Sequence, residues 1–514
     1  MKKILLLSLI IGFLTSGCSL LESIPNNVDD VKGAGAFTLK FIQINDVYEI
    51  APLNGGEYGG LARVAYIRDS IKQSFPNTYL FLAGDFLNPS LLGTLKVDGE
   101  RLNGKQMIDV LNAVEIDLVT FGNHEFDLSE EDLQKRLDES TFKWISANVR
   151  HATEDVVSPF TTKWKYTNVP ISDYSTFTST DEEGNKIKFA VFGVTTPSNP
   201  TEYVEYQNIY ESSERAYKEA IQKADFVVAL THVTAAEDVE IARRLRNLPL
   251  IMGGHEHFNM LLKEGRTMIA KADANAKSLY VHTLKYDMKT RHLYLNSDLV
   301  FVGPDTPSSV KVERVVKKWD DLLGTKLKEI VDSPNEVIYT SKKILDGTDD
   351  TNRSVQSNLG EIITKSMATA YKNKVVGAIL NGGAIRIDDN LQGNITSTDI
   401  FRVLPFGGIV LKVELKGSLL SEILEYGDLQ KGTGAYLQRY NFSKDAKGNW
   451  NVAGSPIKSN SNYTVAMSDF LLKGLDIPFL TPENKGIIKI YTPSEKELAG
   501  DIRKAIISYL KKQP

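Results

Sequence analysis

Asp117-Leu118-Val119-Thr120-Phe121-Gly122-Asn123-His124-Glu125-Phe126-Asp127 is the stretch whose reading decides the fold. Its first half is a short apolar run, rich in β-branched and aromatic residues, that stops at a glycine. That is the pattern of a buried strand. An amide, an imidazole and two carboxylates follow at once. In open α/β sheets, ligands sit in the crevice at the carboxyl ends of the strands. The segment therefore delivers Asn123, His124 and Asp127 to a candidate active site. One polar loop after one strand is ordinary. Here the same device recurs along the chain, and the recurrence carries the reading.

A strand predicted over Phe37–Ile44 runs into Asn45-Asp46-Val47-Tyr48, and one over Tyr79–Ala83 ends in Gly84-Asp85. Asp225–Leu230 leads to Thr231-His232, and Leu250–Met252 leads to Gly253-Gly254-His255-Glu256-His257. Further strands are expected at Phe142–Ala147 and Lys186–Val194. Helical stretches lie between them. Gly59-Gly60-Leu61-Ala62-Arg63 opens a helix with Leu61, Val64, Ala65 and Ile71 on one side, and another covers Gln106–Ala113. This alternation predicts an α/β layered fold. From Pro307 to about Asp332 the apolar residues Val312, Val315, Val316, Trp319, Leu322 and Leu323 recur at helix spacing, and the connection between domains is placed there. The second half has its own alternation. Helices are expected over Asn358–Tyr371 and Ser418–Tyr426, and strands over Val375–Leu380 and Ile409–Leu415. A last amphipathic helix is expected from near Pro493.

A chain of 514 residues, 42% hydrophobic and 24% charged, suits two or three globular domains. A net charge of −5 with no long basic run argues against a nucleic-acid polymer as partner. At the N-terminus, Lys2 and Lys3 precede an apolar run from Ile4 to Leu14, too short to span a bilayer as a helix. It ends in Leu14-Thr15-Ser16-Gly17-Cys18, which resembles a bacterial lipoprotein signal. Cys18 is the only cysteine, so it is read as a lipidation site. A lone cysteine also excludes structural disulfides and cysteine catalysis in the mature monomer. The polar residues 19–36 read as a flexible tether. The expected product is a monomer in the cell envelope, lipid-anchored on the periplasmic or extracellular face.

The residues gathered at the strand ends are Asp46, Asp85, Asn123, His124, His232, His255 and His257. They are oxygen and nitrogen ligands without thiolate, a set that suits zinc, manganese or iron and suits calcium poorly. Two metals a few ångströms apart can share one carboxylate and clamp both sides of a phosphoryl group. Asp85, at a central strand end, is the natural bridge.

With Asp46, Gly84-Asp85, Gly122-Asn123-His124-Glu125, His232 and Gly254-His255-Glu256-His257 in this order, the chain resembles the calcineurin-like metallophosphatases of the two-domain bacterial 5′-nucleotidase type. The resemblance runs from about residue 37 to 510. It implies a four-layer β-sandwich flanked by helices, with a second, smaller α/β substrate-binding domain. It also implies two divalent metal ions. One would take Asp46, Asp85 and His257, and the other Asp85, Asn123, His232 and His255. His124, oriented by Asp127, would stabilise the leaving oxygen. The family has Asp-x-His after the first strand, and this chain has Asp46-Val47-Tyr48. Tyr48 is read as a weak ligand, as a hydrogen-bond donor to bound water or as packing. As a phenolate on a ferric ion it would bind more strongly.

In the second half, Ser357-Asn358-Leu359-Gly360, Asn381-Gly382-Gly383-Ala384-Ile385-Arg386 and Pro405-Phe406-Gly407 match the family's substrate domain. The resemblance implies that Arg353 and Arg386 bind the phosphate or ribose side, that Phe406 and Phe470 stack on a base, and that Asp476 contacts the sugar. Guanidinium forks suit phosphate, and flat aromatic faces suit a purine. Val355, Gly408, Leu475 and Ile477 depart from the family's pattern around these positions. For Phe406 and Phe470 the competing reading is core packing.

Together these readings divide the chain into a signal at 1–18, a tether at 19–36, a metallophosphoesterase domain at 37–306, a linker helix region at 307–340 and a substrate domain at 341–514. The expected function is metal-dependent hydrolysis of phosphoric esters, chiefly release of phosphate from nucleoside monophosphates. The alternatives are a cyclic-nucleotide phosphodiesterase, a nucleotide-sugar hydrolase or, in a different class, a nucleotide-binding surface lipoprotein with an impaired metal site.

Overall fold

A computed structural model describes residues 36–198, 200–372, 374–387 and 389–514. The signal, Cys18 and all but the last residue of the expected tether lie outside the described residues. Twelve strands build the two main sheets of the first half. The first four are β1 (Ala36–Ile44), β2 (Thr78–Ala83), β3 (Leu118–Thr120) and β4 (Lys143–Ile145). Then come β5 (Tyr174–Thr180), β6 (Lys186–Thr195), β7 (Phe226–His232) and β8 (Leu250–Gly253). The last four are β9 (Met260–Glu264), β10 (Thr267–Lys271), β11 (Ser278–Asp287) and β12 (Leu293–Phe301).

They form two six-stranded sheets, ordered β12-β11-β1-β2-β3-β4 and β5-β6-β7-β8-β10-β9. β1 to β4 run parallel, and so do β6, β7, β8 and β10, while β5, β9, β11 and β12 pair antiparallel with their neighbours. The sheets meet face to face over an aromatic core. Phe41 of β1 packs on Phe189 of β6 at 4.8 Å between ring centroids and on Phe81 of β2 at 5.1 Å. Each such ring stabilises the fold by about 2–3 kcal/mol relative to leaving it in water.

Helices cover the outer faces, which completes four layers. α1 (Leu61–Ser74) and α2 (Lys105–Val114) pack on the first sheet, and α3 (Ile209–Ala220) and α4 (Ala235–Arg244) on the second. The helix expected after Pro307 is α5 (Val310–Lys328). It buries Val312, Val316, Trp319, Leu323 and Leu327, a stripe at helix spacing. This stripe packs on α1 and α2, so the connecting helix is fastened to the first half.

The second half is built on a five-stranded sheet. Its strands are β13 (Gly377–Asn381), β14 (Val410–Lys416), β15 (Leu437–Tyr440), β16 (Asn462–Ser468) and β17 (Ile487–Tyr491), in the order β15-β13-β16-β14-β17. α6 (Asp349–Ser354), α7 (Asn358–Ala370), α8 (Gly417–Leu429) and α9 (Ile502–Leu510) complete it. The last helix starts at Ile502, not near Pro493. Ser494 and Glu497 close a turn on each other instead, with Ser494 N donating to Glu497 Oε1 at 2.8 Å. Asp501 then caps α9 by accepting from Arg503 N at 2.8 Å. At the other end of the chain, Ala36 belongs to β1 and not to the tether.

Candidate active site

The expected ligands stand where the parallel strands end, and the backbone there is bent hard. Asp46, Asp85 and His255 have φ of 52°, 55° and 84°. A side chain in this left-handed region costs about 1–3 kcal/mol and persists only when its surroundings over-determine it. The carboxylates supply that determination. Asp46 Oδ2 accepts from His255 N at 3.0 Å and from Asn45 Nδ2 at 2.8 Å, and Asp46 N donates to Gly84 O at 3.1 Å. Asp85 Oδ1 accepts from His124 N at 2.8 Å. Loops from both sheets are thus tied to one another through the residues expected to bind metal.

The outcome is a buried cluster. Ligand atoms of Asp46, Asp85 and His232 all lie within 4.8 Å of one another. His232 Nδ1 hydrogen-bonds to Ala83 O at 2.7 Å, which leaves Nε2 3.1 Å from Asp85 Oδ2 and 3.9 Å from Asp46 Oδ1. Fixing one imidazole nitrogen on a backbone carbonyl is how proteins aim the other at a metal. His257 Nε2 lies 3.3 Å from Asp46 Oδ1, and the His255 ring stands 5.3 Å from the His232 ring. Asn123 is buried on the neighbouring loop, immediately before His124. A Cβ on Gly84 or Gly254 would stand 2.7 or 2.8 Å from His232 Nδ1, so both glycines are needed for this approach.

Electrostatics fits a cation. Burial opposes charge on His232, yet the Asp85 and Asp46 carboxylates overcome it and hold the imidazolium to about 9. Burial likewise works against the Asp85 anion, but His232 and His124 keep its carboxyl well below the usual range. Burial and the neighbouring His232 charge push His255 down. Two buried carboxylates with imidazoles directed at them, and no thiolate, fit a divalent metal ion.

Beside this cluster, His124 Nδ1 lies 2.8 Å from Asp127 Oδ2. Burial pulls His124 down, but Asp85 and Asp127 raise it to about 9. For Asp127, burial is outweighed by His124, Arg386 and Asn88, which bring it to about 2. Tyr48 is buried and is not mere packing. Its hydroxyl donates to Asp85 Oδ2 at 3.2 Å and stands 3.3 Å from His257 Nε2.

Several supporting residues carry no sequence signal of their role. Glu125 does not face the cluster. Its carboxylate accepts from the backbone N–H groups of Asp85 at 2.9 Å, Phe86 at 2.8 Å, Leu87 at 3.0 Å and Gly122 at 2.6 Å. Asn275 Oδ1 accepts from Tyr48 N at 3.0 Å and Glu49 N at 3.2 Å. Below the cluster, Gln43 donates to Gly253 O and Ala270 O, so its Oε1 faces His282 Nε2 as an acceptor at 3.0 Å. His282 therefore carries its proton on Nε2 and accepts from Ser297 Oγ at 2.7 Å. Burial pushes His282 down to about 3, so it is neutral at physiological pH.

The second half brings its expected residues together less tightly. A cavity of about 320 Å³ is lined by Leu380, Asn381, Leu404, Phe406, Ile409 and Phe470, among others. Phe406 is 55% exposed and Phe470 half-buried, so neither is a core residue. Asp476 adjoins the cavity through Asn381, and burial raises its carboxyl despite that neighbour. Arg353 pairs with Asp349 on α6, which packs on the Gly382–Ala384 turn. Arg386 reaches across to the first half, with Nη2 2.7 Å from Asp127 Oδ2. Arg402 to Glu49 at 3.1 Å and Lys277 to Asp389 at 2.5 Å also bridge the halves.

Residues 39–259 match the calcineurin-like phosphoesterase family, and residues 337–481 match the 5′-nucleotidase C-terminal domain. The chain thus carries a calcineurin-like phosphoesterase region followed by a 5′-nucleotidase C-terminal domain. This phosphoesterase is similar to the trifunctional nucleotide phosphoesterase protein YfkN of Bacillus subtilis, at 26% identity over 78% of the chain and 29% of YfkN. It thus spans less than a third of that protein. It is also similar to the 5′-nucleotidase of Homo sapiens, at 25% identity over 79% of the chain and 75% of that protein. Among solved structures, the 5′-nucleotidase precursor from Thermus thermophilus shares the fold with a TM-score of 0.66 at 23% identity, covering 93% of this chain and 96% of that one. The two-domain architecture expected from the sequence is that of its structural relatives. No helix among the described residues is long and apolar enough to cross a membrane.

Proposed function

We propose that this phosphoesterase is a metal-dependent 5′-nucleotidase that releases phosphate from nucleoside monophosphates. The observation that carries the reading is the convergence of Asp46, Asp85 and His232 within 4.8 Å, with His124 and Asp127 beside them. Asp46, Asp85 and His257 would hold one divalent ion, and Asp85, Asn123, His232 and His255 a second, from among zinc, manganese and iron. When bound, such a pair supplies a nucleophilic water at neutral pH and a clamp for both oxygens of an in-line displacement.

The chain's own residues do the rest. With Nδ1 held by Asp127, His124 has Nε2 to offer a proton to the leaving oxygen. Asp127 keeps the ring in that tautomer and stabilises the charged imidazolium. Arg386 places a guanidinium beside this pair, where it can meet the phosphate from the side of the second half. Phe406 and Phe470 flank the cavity that would take the base. The Tyr48 hydroxyl donates to Asp85, so an ion at Asp46 would have one protein ligand fewer than the Asp-x-His pattern supplies. The buried cluster and the intact His124–Asp127 pair favour this reading over a lipoprotein with an impaired metal site.

The test is hydrolysis of AMP, other nucleoside monophosphates, cyclic AMP and UDP-glucose by the purified protein, followed by phosphate release and by chromatography of the nucleotide products, with and without a chelator. The reading expects AMP-type substrates to lead and the chelator to abolish release. Preference for a cyclic nucleotide or a nucleotide sugar would move the assignment to that substrate. We further propose a lipid on Cys18, in a lipoprotein that acts as a monomer on the periplasmic or extracellular face. Cys18→Ser should shift the protein from the membrane to the soluble fraction, and equal partition of both forms would contradict the anchor. The domain limits 37–306, 307–340 and 341–514 are likewise our reading.

A further inference from the structure

Lys271, the last residue of β10, has its side chain fully buried. A buried ammonium is costly unless every proton finds an acceptor. Lys271 Nζ donates to Val233 O at 2.6 Å, to Gly254 O at 2.8 Å and to Glu256 Oε2, and it stands 3.0 Å from Asp238 Oδ2. These acceptors are not scattered. Val233 follows His232 directly. Gly254 precedes His255, and Glu256 lies between His255 and His257. Asp238 also accepts from Thr231 Oγ1 at 2.7 Å, next to His232 on its other side. A single cation thus gathers the two loops that carry all three histidines of the cluster.

The backbone makes room for it. β8 and β10 are parallel neighbours with Gly253 opposite Lys271. A Cβ on Gly253 would lie 2.9 Å from Lys271 Cε and 2.9 Å from Asp238 Oδ2. The first glycine of Gly253-Gly254-His255 is the slot through which the lysine stem passes. On the opposite sheet, Glu125 does the same task with the opposite sign, since its carboxylate gathers backbone N–H groups of the Asp85 and Gly122 loops. The anion collects N–H groups and the cation collects carbonyls, one for each sheet's ligand loops.

We infer that Lys271 is a positioning residue for the metal centre, a buried tie that sets the spacing of His232 against His255 and His257 through Val233, Gly254 and Glu256. The inference rests on the metal-binding reading of those histidines. Loss of a group that orients ligands typically costs about 10–100-fold in metal affinity.

The test is Mn²⁺ titration by calorimetry on the purified metal-free full-length protein, with its melting temperature and the kcat and KM for AMP. Lys271→Met should weaken Mn²⁺ binding about tenfold or more and lower kcat, with KM nearly unchanged. Glu256→Ala keeps the Lys271–Asp238 pair and the bonds of Lys271 to Val233 O and Gly254 O, and removes the carboxylate that holds Lys271 Nζ and accepts from Ala235 N at 2.6 Å. It should weaken Mn²⁺ in the same direction while the metal-free melting temperature stays close to that of the natural protein. It therefore carries the test if Lys271→Met does not fold. Natural Mn²⁺ affinity and kcat in Glu256→Ala, or a lowered melting temperature with unchanged Mn²⁺ binding in Lys271→Met, would overturn the inference. A natural protein that binds no Mn²⁺ or other divalent ion would overturn the metal reading itself, and this inference with it.

Discussion

The two halves hold their expected functional residues in different ways. In the first half, Asp46, Asp85 and His232 meet in one buried cluster with His255 and His257 beside it, and three of these residues pay for the meeting in backbone strain. In the second half, Phe406 and Phe470 flank an open cavity, Arg353 is engaged with Asp349, and Arg386 has left its own half for Asp127. The difference fits what each half is proposed to hold. An ion accepts ligand atoms only within a few tenths of an ångström, so the scaffold must be rigid and its residue types are fixed. A base and a sugar are gripped by a surface, and several side chains can supply it. Chemistry should therefore depend steeply on single residues of the first half, and recognition more gently on residues of the second.

The sharpest break of this comparison is His124→Ala. Turnover should fall by about 10²–10⁴-fold while bound metal stays nearly unchanged, since general acid catalysis acts on the transition state and not on the ion. Equal loss of metal would make His124 a ligand. Next in size is Phe406→Ala, or Phe470→Ala. KM for AMP should rise by about tenfold, the effect of losing one stacking contact, and KM for p-nitrophenyl phosphate should hardly change. If both substrates suffer alike, the second half does not read the base through these rings. Smaller again is Tyr48→His, which should tighten the looser of two metals a few-fold, as an added imidazole replaces a neutral phenol. Two equally tight sites in the natural protein, unaltered by Tyr48→His and without a visible iron–phenolate band, would contradict the proposed ligand shortage.

A separate effect concerns pH and stability and not activity. All seven histidines lie in the first half, and His282 is held neutral there, titrating at about 3 when folded against about 6.5 unfolded. The unfolded chain binds the extra proton in that window. Its contribution to stability is therefore complete above pH 6.5 and is lost as pH falls toward 3. In denaturant titrations of the metal-free protein at pH 7 and pH 4.5, His282→Gln should lose less stability than the natural sequence. Parallel losses would show that His282 is not the acid-sensitive group.

Much of the first half is legible in the sequence. Strand ends at Asp46, Asp85, Asn123, His232 and His255 can be placed because a short apolar run that stops at a glycine or a small polar residue before a ligand-type side chain has few other meanings in an α/β sheet. Residues whose function is geometric cannot be read in this way. Glu125 stands inside the motif, yet nothing in its neighbours tells a carboxylate that faces a metal from one that collects four amides. Lys271 sits alone at the end of a strand, and its partners come from loops made of residues as ordinary as Val233 and Gly254. The left-handed backbone at Asp46, Asp85 and His255 is equally silent, because no glycine marks those positions. In the second half, the sequence locates the cavity's aromatic walls but not the reach of Arg386 to Asp127, a contact set by how the halves dock. α9 starts later than the apolar spacing suggests, because that spacing continues upstream of a turn that only the Ser494–Glu497 hydrogen bonds reveal.

We propose that the buried carboxylate–histidine cluster of the first half is a metal centre that hydrolyses nucleotide phosphoesters. Asp85 touches His232, Tyr48 and the His124 backbone, so Asp85→Asn tests it most directly. Metal content and phosphate release from AMP should be measured on the same samples of the natural and Asp85→Asn proteins. The expected result is stoichiometric metal and chelator-sensitive release in the first, and loss of both in the second, with turnover down by about three orders of magnitude. An Asp85→Asn protein that releases phosphate at a comparable rate, or a natural protein whose release survives removal of all metal, would contradict it.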